Sequence, residues 1–271
     1  MTRRQGDRRR LEARQPPVAA IVIAAIAIAF FALPIIGLIG RADWSNVVDQ
    51  LSDPVTTDAL RVSLVCSLGA TALSVLFGIP LAWVLARTEF RGRRVARAIV
   101  ILPMILPPVV GGVALFLAFG RSGVVGQYLD EWCGIRLPFT TLGAIVAETF
   151  IAMPFFVITV EAALRGMDPR YEEASATLGA SRWTSFRRVT LPLIAPSVAA
   201  GAALAWARAL GEFGATITFA GNLQGKTQTV PIAIFLQFES GQTDAAITLS
   251  LVLVAVSLAV LVALRDRWLI R

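Results

Sequence analysis

Three ionisable residues lie inside long apolar runs of this chain, where a charge is costly. Arg208 and Glu212 are four residues apart in one run, and Glu148 lies in another. Ionisable side chains within membrane spans usually face a charged partner or a water-filled path. Two interpretations stay open: Arg208 and Glu212 neutralise each other near the outer interface, or Arg208 attracts an anion while Glu212 organises that anion or a gate. Glu148 either pairs with Arg208 or lines the same path, and a structural pair is the favoured interpretation.

Several kinds of catalysis are excluded by the residues that the chain lacks. It has no histidine and no GxxxxGK[ST] phosphate loop, and its two cysteines, Cys66 and Cys133, lack the spacing of metal ligands. Imidazole acid–base chemistry, metal-assisted hydrolysis and ATP hydrolysis by that loop are therefore not expected. The sequence predicts no catalytic residue, no metal site and no cofactor bound by this chain.

A polar interruption separates two apolar runs at residues 168–192. Asp168 can cap a helix whose first position is Pro169, because proline lacks only an N–H that would stay unpaired there anyway. Gly179 suits the left-handed position that ends such a helix, and Ser181 can cap a second one. The spacing predicts two short helices beneath a membrane, either as a docking surface or as a loop that merely reverses the chain.

The apolar runs predict an all-α membrane protein. The chain has 271 residues, of which 56% are hydrophobic, and a helix of about 20 apolar residues crosses a hydrocarbon core. The first run is too long for the apolar part of a signal peptide and is predicted to be a retained anchor. Six spans are predicted, within a transmembrane domain of residues 18–267: residues 18–40, 60–85, 98–119, 140–164, 193–219 and 245–264.

Arginine placement predicts the orientation of the spans. The net charge is +7, and basic residues favour the cytoplasmic side of a membrane. Both termini are therefore predicted to be cytoplasmic, including a basic tail at residues 1–17, and the charge reflects topology rather than nucleic-acid binding. The cytoplasmic segments hold Arg3, Arg4, Arg8, Arg9, Arg10, Arg14, Arg87, Arg91, Arg93, Arg94, Arg97, Arg165, Arg170, Arg182, Arg187, Arg188, Arg265, Arg267 and Arg271.

The fifth predicted span carries small residues at every fourth position. Ala199, Ala203, Ala207 and Gly211 would share one smooth face. Small residues let another membrane helix approach closely, so this face is predicted to be a packing surface.

The polar interruption also resembles a known motif. Glu173-Ala174-Ser175, three residues, Gly179, nine residues, then Val189-Thr190-Leu191-Pro192 is similar to the EAA loop of bacterial ABC importer permeases. The departures from that pattern are Ser175 for alanine and Val189 for isoleucine. In that family the loop forms a coupling helix on the ATP-hydrolysing subunit. The resemblance implies a type I ABC importer permease fold, with ATPase-coupling positions at Glu173, Ala174, Ser175, Gly179, Leu191 and Pro192.

Two further segments resemble one subfamily of those permeases. Residues 209–217, ALGEFGATI, and residues 219–222 are similar to a segment of oxyanion importers for molybdate, tungstate and sulfate. Residues 229–235 and 102–112 resemble the molybdate version more than the sulfate one. The resemblance therefore implies a molybdate or tungstate permease, and a sulfate/thiosulfate permease is the alternative.

The resemblance also implies the oligomeric state, the location and the partners of this chain. It predicts a homodimer in the bacterial plasma membrane, an inner membrane, with lipid around it and no nucleic-acid partner. A cytoplasmic ABC ATPase dimer would bind the ATP, and an extracytoplasmic substrate-binding protein would deliver the oxyanion. The chain itself would not be an enzyme. Two other classes are a stand-alone secondary transporter or channel, which inverted repeats would favour, and a membrane enzyme, which would need a catalytic cluster.

Overall fold

The computed structural model describes the backbone of residues 17–268 and the side chains of residues 17–262. The arginines predicted in the N-terminal tail and near the C-terminus therefore lie outside the described side chains. Within the described range the chain is helical and contains no strand. The helices are α1 Val18–Gly40, α2 Val47–Ser52, α3 Pro54–Arg87, α4 Arg93–Ile105, α5 Pro108–Phe119, α6 Gly126–Cys133, α7 Thr141–Gly166, α8 Arg170–Thr177, α9 Arg182–Ser185, α10 Leu191–Leu210, α11 Gly214–Ala220, α12 Val230–Glu239 and α13 Thr243–Trp268, with a π-helical turn at Phe186–Thr190.

Five helical stretches in the described part are long and apolar enough to cross a membrane. They are α1, α3, α7, the continuous stretch Arg182–Leu210 that ends in α10, and α13 as far as Val262. The predicted class, an all-α membrane protein, is confirmed. The six spans, however, are not six single helices.

The third predicted span, residues 98–119, is broken into α4 and α5. The break falls at Leu106 and Pro107, whose backbones are extended, with ψ of 139° and 131°. A residue before proline is disfavoured in the helical region, and both Leu106 and Pro107 precede a proline. The resulting helices have 13 and 12 residues, so neither alone reaches the length of a full span.

The fifth predicted span, residues 193–219, also ends early. Helix α10 stops at Leu210, and α11 starts at Gly214 after a non-helical Phe213 (φ −122°, ψ −56°). Glycine is among the weakest helix formers, and two glycines flank this break. The apolar helix α12 lies in a segment that the sequence predicted only as a connection.

Helices α3, α7 and α10 form the core around one aromatic ring. Phe156 of α7 is fully buried. A Cβ atom at Gly78 of α3 would lie 2.5 Å from Phe156 Cδ1, and one at Gly201 of α10 would lie 3.2 Å from Phe156 Cδ2. The two glycines therefore let α3 and α10 close on opposite edges of the ring, in the manner of small residues at membrane helix interfaces.

The small-residue face of α10 that packs inward is not the predicted one. Of the predicted residues, Ala199, Ala207 and Gly211 are exposed and Ala203 is half-buried. The buried face is turned part of the way around the helix, where the chain again has small residues at every fourth position. It consists of Gly201, Ala205 and Ala209.

Helix α1 lies at the periphery of the fold. It packs against α13, and none of its residues is buried. An unbroken apolar surface of this kind is what a helix surrounded by lipid or by another membrane protein requires.

Candidate functional site

The polar interruption folds into two short helices, as predicted. Asp168 Oδ1 accepts a hydrogen bond from the Arg170 N–H at 2.9 Å, and α8 begins at Arg170, one residue after the predicted Pro169. Ser181 Oγ accepts from the Thr184 N–H at 3.2 Å and caps α9. We call residues 168–192 the coupling loop.

Gly179 ends α8 in the predicted left-handed conformation, with a φ of +82°. The Ala180 N–H donates to Ser175 O at 3.1 Å, and the Gly179 N–H donates to Ala176 O at 2.9 Å. This pair of bonds is the Schellman motif, which satisfies carbonyls at a helix end. The turn aims α9 back toward the membrane helices.

An apolar patch covers the free side of the coupling loop. Tyr171, Ala174 and Leu178 lie three and four residues apart, so they share one face of α8; Tyr171 is 56% exposed and Leu178 is 89% exposed. Trp183 of α9 is 69% exposed. An exposed apolar patch of this kind marks an interaction surface, and we call these four residues the docking patch.

The predicted coupling residues do not all face solvent. Glu173 and Ala174 are exposed, as are Gly179 and Pro192. Leu191 is half-buried at the start of α10. Ser175 faces inward: its Oγ lies 2.6 Å from Ser185 Oγ. Ser175 therefore joins α8 to α9.

Aromatic contacts hold the coupling loop against the membrane helices. Trp183 stacks on Phe186 with ring centroids 5.7 Å apart, and Phe186 meets the edge of Trp83 on α3 at 6.4 Å. Phe186 begins the π-helical turn that leads into α10. Such turns are frequent at functional sites, and this one links the docking patch to a membrane-spanning helix.

An ion pair that the sequence does not predict also fixes the coupling loop to the membrane helices. Glu172 Oε1 accepts from Thr190 Oγ1 at 2.8 Å, and Glu172 Oε2 lies 3.5 Å from Arg87 Nε at the end of α3. Arg87 Nε and Nη2 are buried and make no hydrogen bond within the described residues. Glu172 is therefore the countercharge that stabilises a mostly buried guanidinium, and it ties α8 to both α3 and α10.

Replacing Glu172 should lower the thermal stability of the permease, whereas replacing the exposed Glu173 should not. Glu172→Gln removes the charge opposite Arg87, and losing a hydrogen-bonded charge costs about 1.5–3 kcal/mol. At about 2–4 °C per kcal/mol for a chain of this size, we expect the apparent Tm of the isolated permease to fall by several degrees. The matched control is Glu173→Gln, whose exposed carboxylate forms no ion pair with Arg87. Equal thermal shifts for the two variants would contradict this assignment.

A second acidic anchor lies at the same end of α7. Glu161 is buried, its Oε1 lies 2.6 Å from Arg165 Nη2, and its Oε2 lies 3.4 Å from Arg97 Nε on α4. Arg165 Nη2 also approaches Leu85 O on α3 at 3.4 Å. This cluster holds α4 and α3 to α7 beside the coupling loop. No spacing rule in the sequence indicated it.

The three ionisable residues singled out in the apolar runs form one neighbourhood. Arg208 Nη1 lies 2.5 Å from Glu212 Oε2, and Glu212 Oε1 accepts from the Ala215 N–H at 2.9 Å. Glu148 is buried on α7, within electrostatic reach of Glu212. The predicted pairing of Glu148 with Arg208 is wrong: in the described part of the chain Arg208 pairs with Glu212, four residues later and just beyond the end of α10.

The local fold explains how these charges are held. Glu212 caps the first turn of α11, and this helix packs closely on α5, where a Cβ atom at Gly112 would lie 2.7 Å from Thr218 Cβ. The glycine pair in residues 102–112 therefore serves close packing. The Arg208 side chain keeps 28% exposure whereas Glu212 keeps 1%. Arg208 is therefore the partly exposed member of the pair.

Comparison with known proteins identifies a protein family that matches this chain and solved structures that have the same fold. The family model described as "Binding-protein-dependent transport system inner membrane component" matches residues 74–271. The "Molybdenum transport system permease protein ModB" of Mycobacterium tuberculosis is 45% identical over 93% of this chain and 92% of its own length. The "Sulfate transport system permease protein CysT" of Salmonella typhimurium is 38% identical over 84% and 83%. A bacterial ABC transporter that imports the acidic polysaccharide alginate contains a chain of the same fold, with a TM-score of 0.72 and 21% identity over 94% of this chain and 96% of that one.

Proposed function

This chain belongs to the family of binding-protein-dependent transport system inner membrane components, and we propose that it is the permease subunit of an ATP-driven importer of molybdate. The observation that carries the proposal is its likeness, over nearly its whole length, to molybdenum transport permeases. Such a subunit needs a site for ATPase docking and a site for the anion. The coupling loop supplies the first, and the Arg208–Glu212 pair supplies the second.

ATP acts on this subunit through a partner. The sequence has no phosphate-binding loop, whereas the docking patch offers an exposed apolar surface at the end of the membrane helices. A cytoplasmic ATPase dimer binds there, with Glu173, Ala174 and Gly179 at the contact. Closure of the ATPases on ATP moves the coupling loop, and the aromatic and Glu172 anchors pass that movement to α3 and α10.

The working unit is a homodimer with its pathway between the two copies. The exposed face of α10, Ala199 and Ala207, is smooth enough for close approach of a second chain, and it adjoins Arg208. In this arrangement two Arg208 guanidinium groups face the passing anion. Glu212 keeps each guanidinium in place, and Glu148 helps to shape the gate.

The orientation follows from the arginines. Basic residues of the coupling loop and of the α3–α4 connection face the cytoplasm, so both termini are cytoplasmic and the chain is a multi-pass protein of the bacterial plasma membrane. Lipid surrounds α1. A ligand-loaded binding protein docks on the opposite side, and the anion leaves it when the pathway opens outward.

Sulfate is the second candidate substrate, because a sulfate permease is also similar over most of the chain. The test is uptake of labelled molybdate by the complete complex in proteoliposomes with internal ATP. We expect tungstate, which has the same charge and shape, to compete strongly and sulfate to compete weakly. Equal competition by sulfate or thiosulfate would identify a sulfate permease. Uptake without the ATPase would identify a secondary transporter instead.

A further inference from the structure

The connection between α3 and α4 carries basic residues that no acidic side chain neutralises. Five arginines and one glutamate lie between residues 87 and 97. Two of these arginines, Arg87 and Arg97, approach glutamates of other helices. The other three form no ion pair with any described side chain, and they are Arg91, Arg93 and Arg94. These three cations against the single carboxylate of Glu89 leave a net charge of +2 beside the coupling loop.

The exposed face of α4 is basic at its start and apolar over the rest of its length. Arg94 is exposed in the first turn of α4, and Arg91 is exposed just before the helix. Large apolar side chains then follow at helical spacing on one exposed face, and they are Val95, Ile99, Leu102 and Ile105. The other side of α4 packs inward through Ala96 and Val100, against the core of α3, α7 and α10. The exposed face therefore belongs to a helix that is held in place and has no partner on that side.

The apolar part of this face is as long as one leaflet of a bilayer is thick. Ile105 lies ten positions after Val95, which is about 15 Å at 1.5 Å per residue. The whole hydrocarbon core measures about 30 Å. Helix α4 then ends at the break formed by Leu106 and Pro107. The arginines thus lie at the depth of the lipid headgroups, and the apolar residues lie at the depth of the acyl chains.

We propose that this face of α4 binds an anionic phospholipid, whose phosphate lies between Arg91 and Arg94. The acyl chains of this lipid lie along Val95, Ile99 and Leu102. Guanidinium groups bind phosphate oxygens through paired N–H donors, and basic segments next to a membrane span attract anionic lipids.

The composition of this face disfavours the other possible occupants. A soluble protein could reach the arginines but not the apolar residues inside the hydrocarbon core. A second copy of this chain is also disfavoured, because a two-fold contact places the same surface patch on both sides of the interface. The arginines of the two copies would then face each other, and like charges at an interface repel.

The test is the preference of the full-length permease, in mixed nanodiscs, for phosphatidylglycerol over phosphatidylcholine. The lipids that stay bound when the permease is released are counted by native mass spectrometry. A basic residue near the membrane surface strengthens anionic-lipid attraction about fivefold, so Arg91→Gln/Arg94→Gln should lower the preference by about 25-fold. The matched control Arg41→Gln/Arg61→Gln removes two exposed arginines at the opposite end of the membrane helices and should leave the preference unchanged.

Thermal stability gives a second measurement. A lipid that binds the folded permease raises its apparent Tm, so the Tm of the wild type should rise as phosphatidylglycerol replaces phosphatidylcholine. The Tm of Arg91→Gln/Arg94→Gln should rise much less, and if this variant does not insert, Arg94→Gln alone should lower the lipid preference about fivefold. Equal retention of the two lipids by the wild type would overturn the proposal. An unchanged lipid preference together with weaker copurification of the ATPase would also overturn it, because the arginines would then contact the ATPase.

Discussion

Gly179→Pro should abolish coupled transport while leaving the membrane helices folded. Gly179 has a φ of +82° and donates its N–H to Ala176, whereas proline fixes φ near −65° and has no N–H. The end of α8 must then rearrange, at a cost of about 1–3 kcal/mol. Since about 1.4 kcal/mol is a factor of ten in affinity, ATPase docking should weaken roughly tenfold or more. Copurification of the ATPase and uptake in proteoliposomes measure the two effects.

Two controls separate docking from general damage. Gly134 also has positive φ, +64°, at the end of α6, and donates to Asp130; Gly134→Pro makes the same change away from the coupling loop and should spare ATPase binding. Gly179→Ala keeps the N–H, and its Cβ would meet no described atom of this chain within 4 Å. Alanine is still strained at a φ of +82°, at a cost of about 1–2 kcal/mol, so we expect Gly179→Ala to weaken docking less than Gly179→Pro does. Normal docking and transport by Gly179→Pro would refute the coupling role.

The coupling loop was predictable because its helix ends are local. Asp168, Gly179 and Ser181 act on backbone groups within a few residues, so their types and spacing already predict where α8 and α9 begin and end. Glu172 was not predictable in this way. Its partner Arg87 lies 85 positions earlier in the chain, and only the packing of α3 against the loop brings the two together.

The membrane helices were also predictable only in part. Hydropathy predicts which runs are apolar, and α1, α7 and α13 begin and end near the predicted positions. It does not predict that Leu106 and Pro107 break the third run, or that Gly211 to Gly214 break the fifth. It also does not predict which of two small-residue faces of α10 turns inward, because both repeat every four residues. The Phe156 ring decides that face by fitting against Gly201.

Helix α10 joins the two candidate sites physically. It begins after Thr190, which is bonded to Glu172 of the coupling loop, and it ends beyond Arg208. Its 20 residues form a rod of about 30 Å, anchored along its length to α7 and α3. In the proposed function, α10 would pass a movement of the coupling loop to the Arg208–Glu212 pair. This linkage makes the pair a candidate gate as well as an anion site.

Arg208→Ala should strongly reduce transport, because it deletes the partly exposed cation that we propose as the anion site. Hydrogen bonds to charged groups contribute about 1.5–3 kcal/mol, so we expect uptake at low molybdate concentration to fall roughly 10- to 150-fold. The variant also leaves Glu212 buried without its cation, which is destabilising. Assembly with the ATPase and the apparent Tm must therefore be measured beside uptake. Unchanged uptake by an assembled Arg208→Ala complex would exclude a role for this arginine in transport.

The double variant Arg208→Met/Glu212→Gln distinguishes an anion site from a structural ion pair. Methionine replaces the apolar stem of arginine without its charge, and glutamine keeps the length of glutamate. The amide oxygen that replaces the Glu212 carboxylate can still accept from the Ala215 N–H, so neither partner of the pair is left as an unpaired charge. If Arg208 only neutralises Glu212, the double variant should recover both stability and uptake relative to Arg208→Ala. If Arg208 binds the oxyanion, stability should recover while uptake stays low, and that is the result we expect. Arg208→Lys should retain part of the uptake, because it keeps the charge but not the fork of donors.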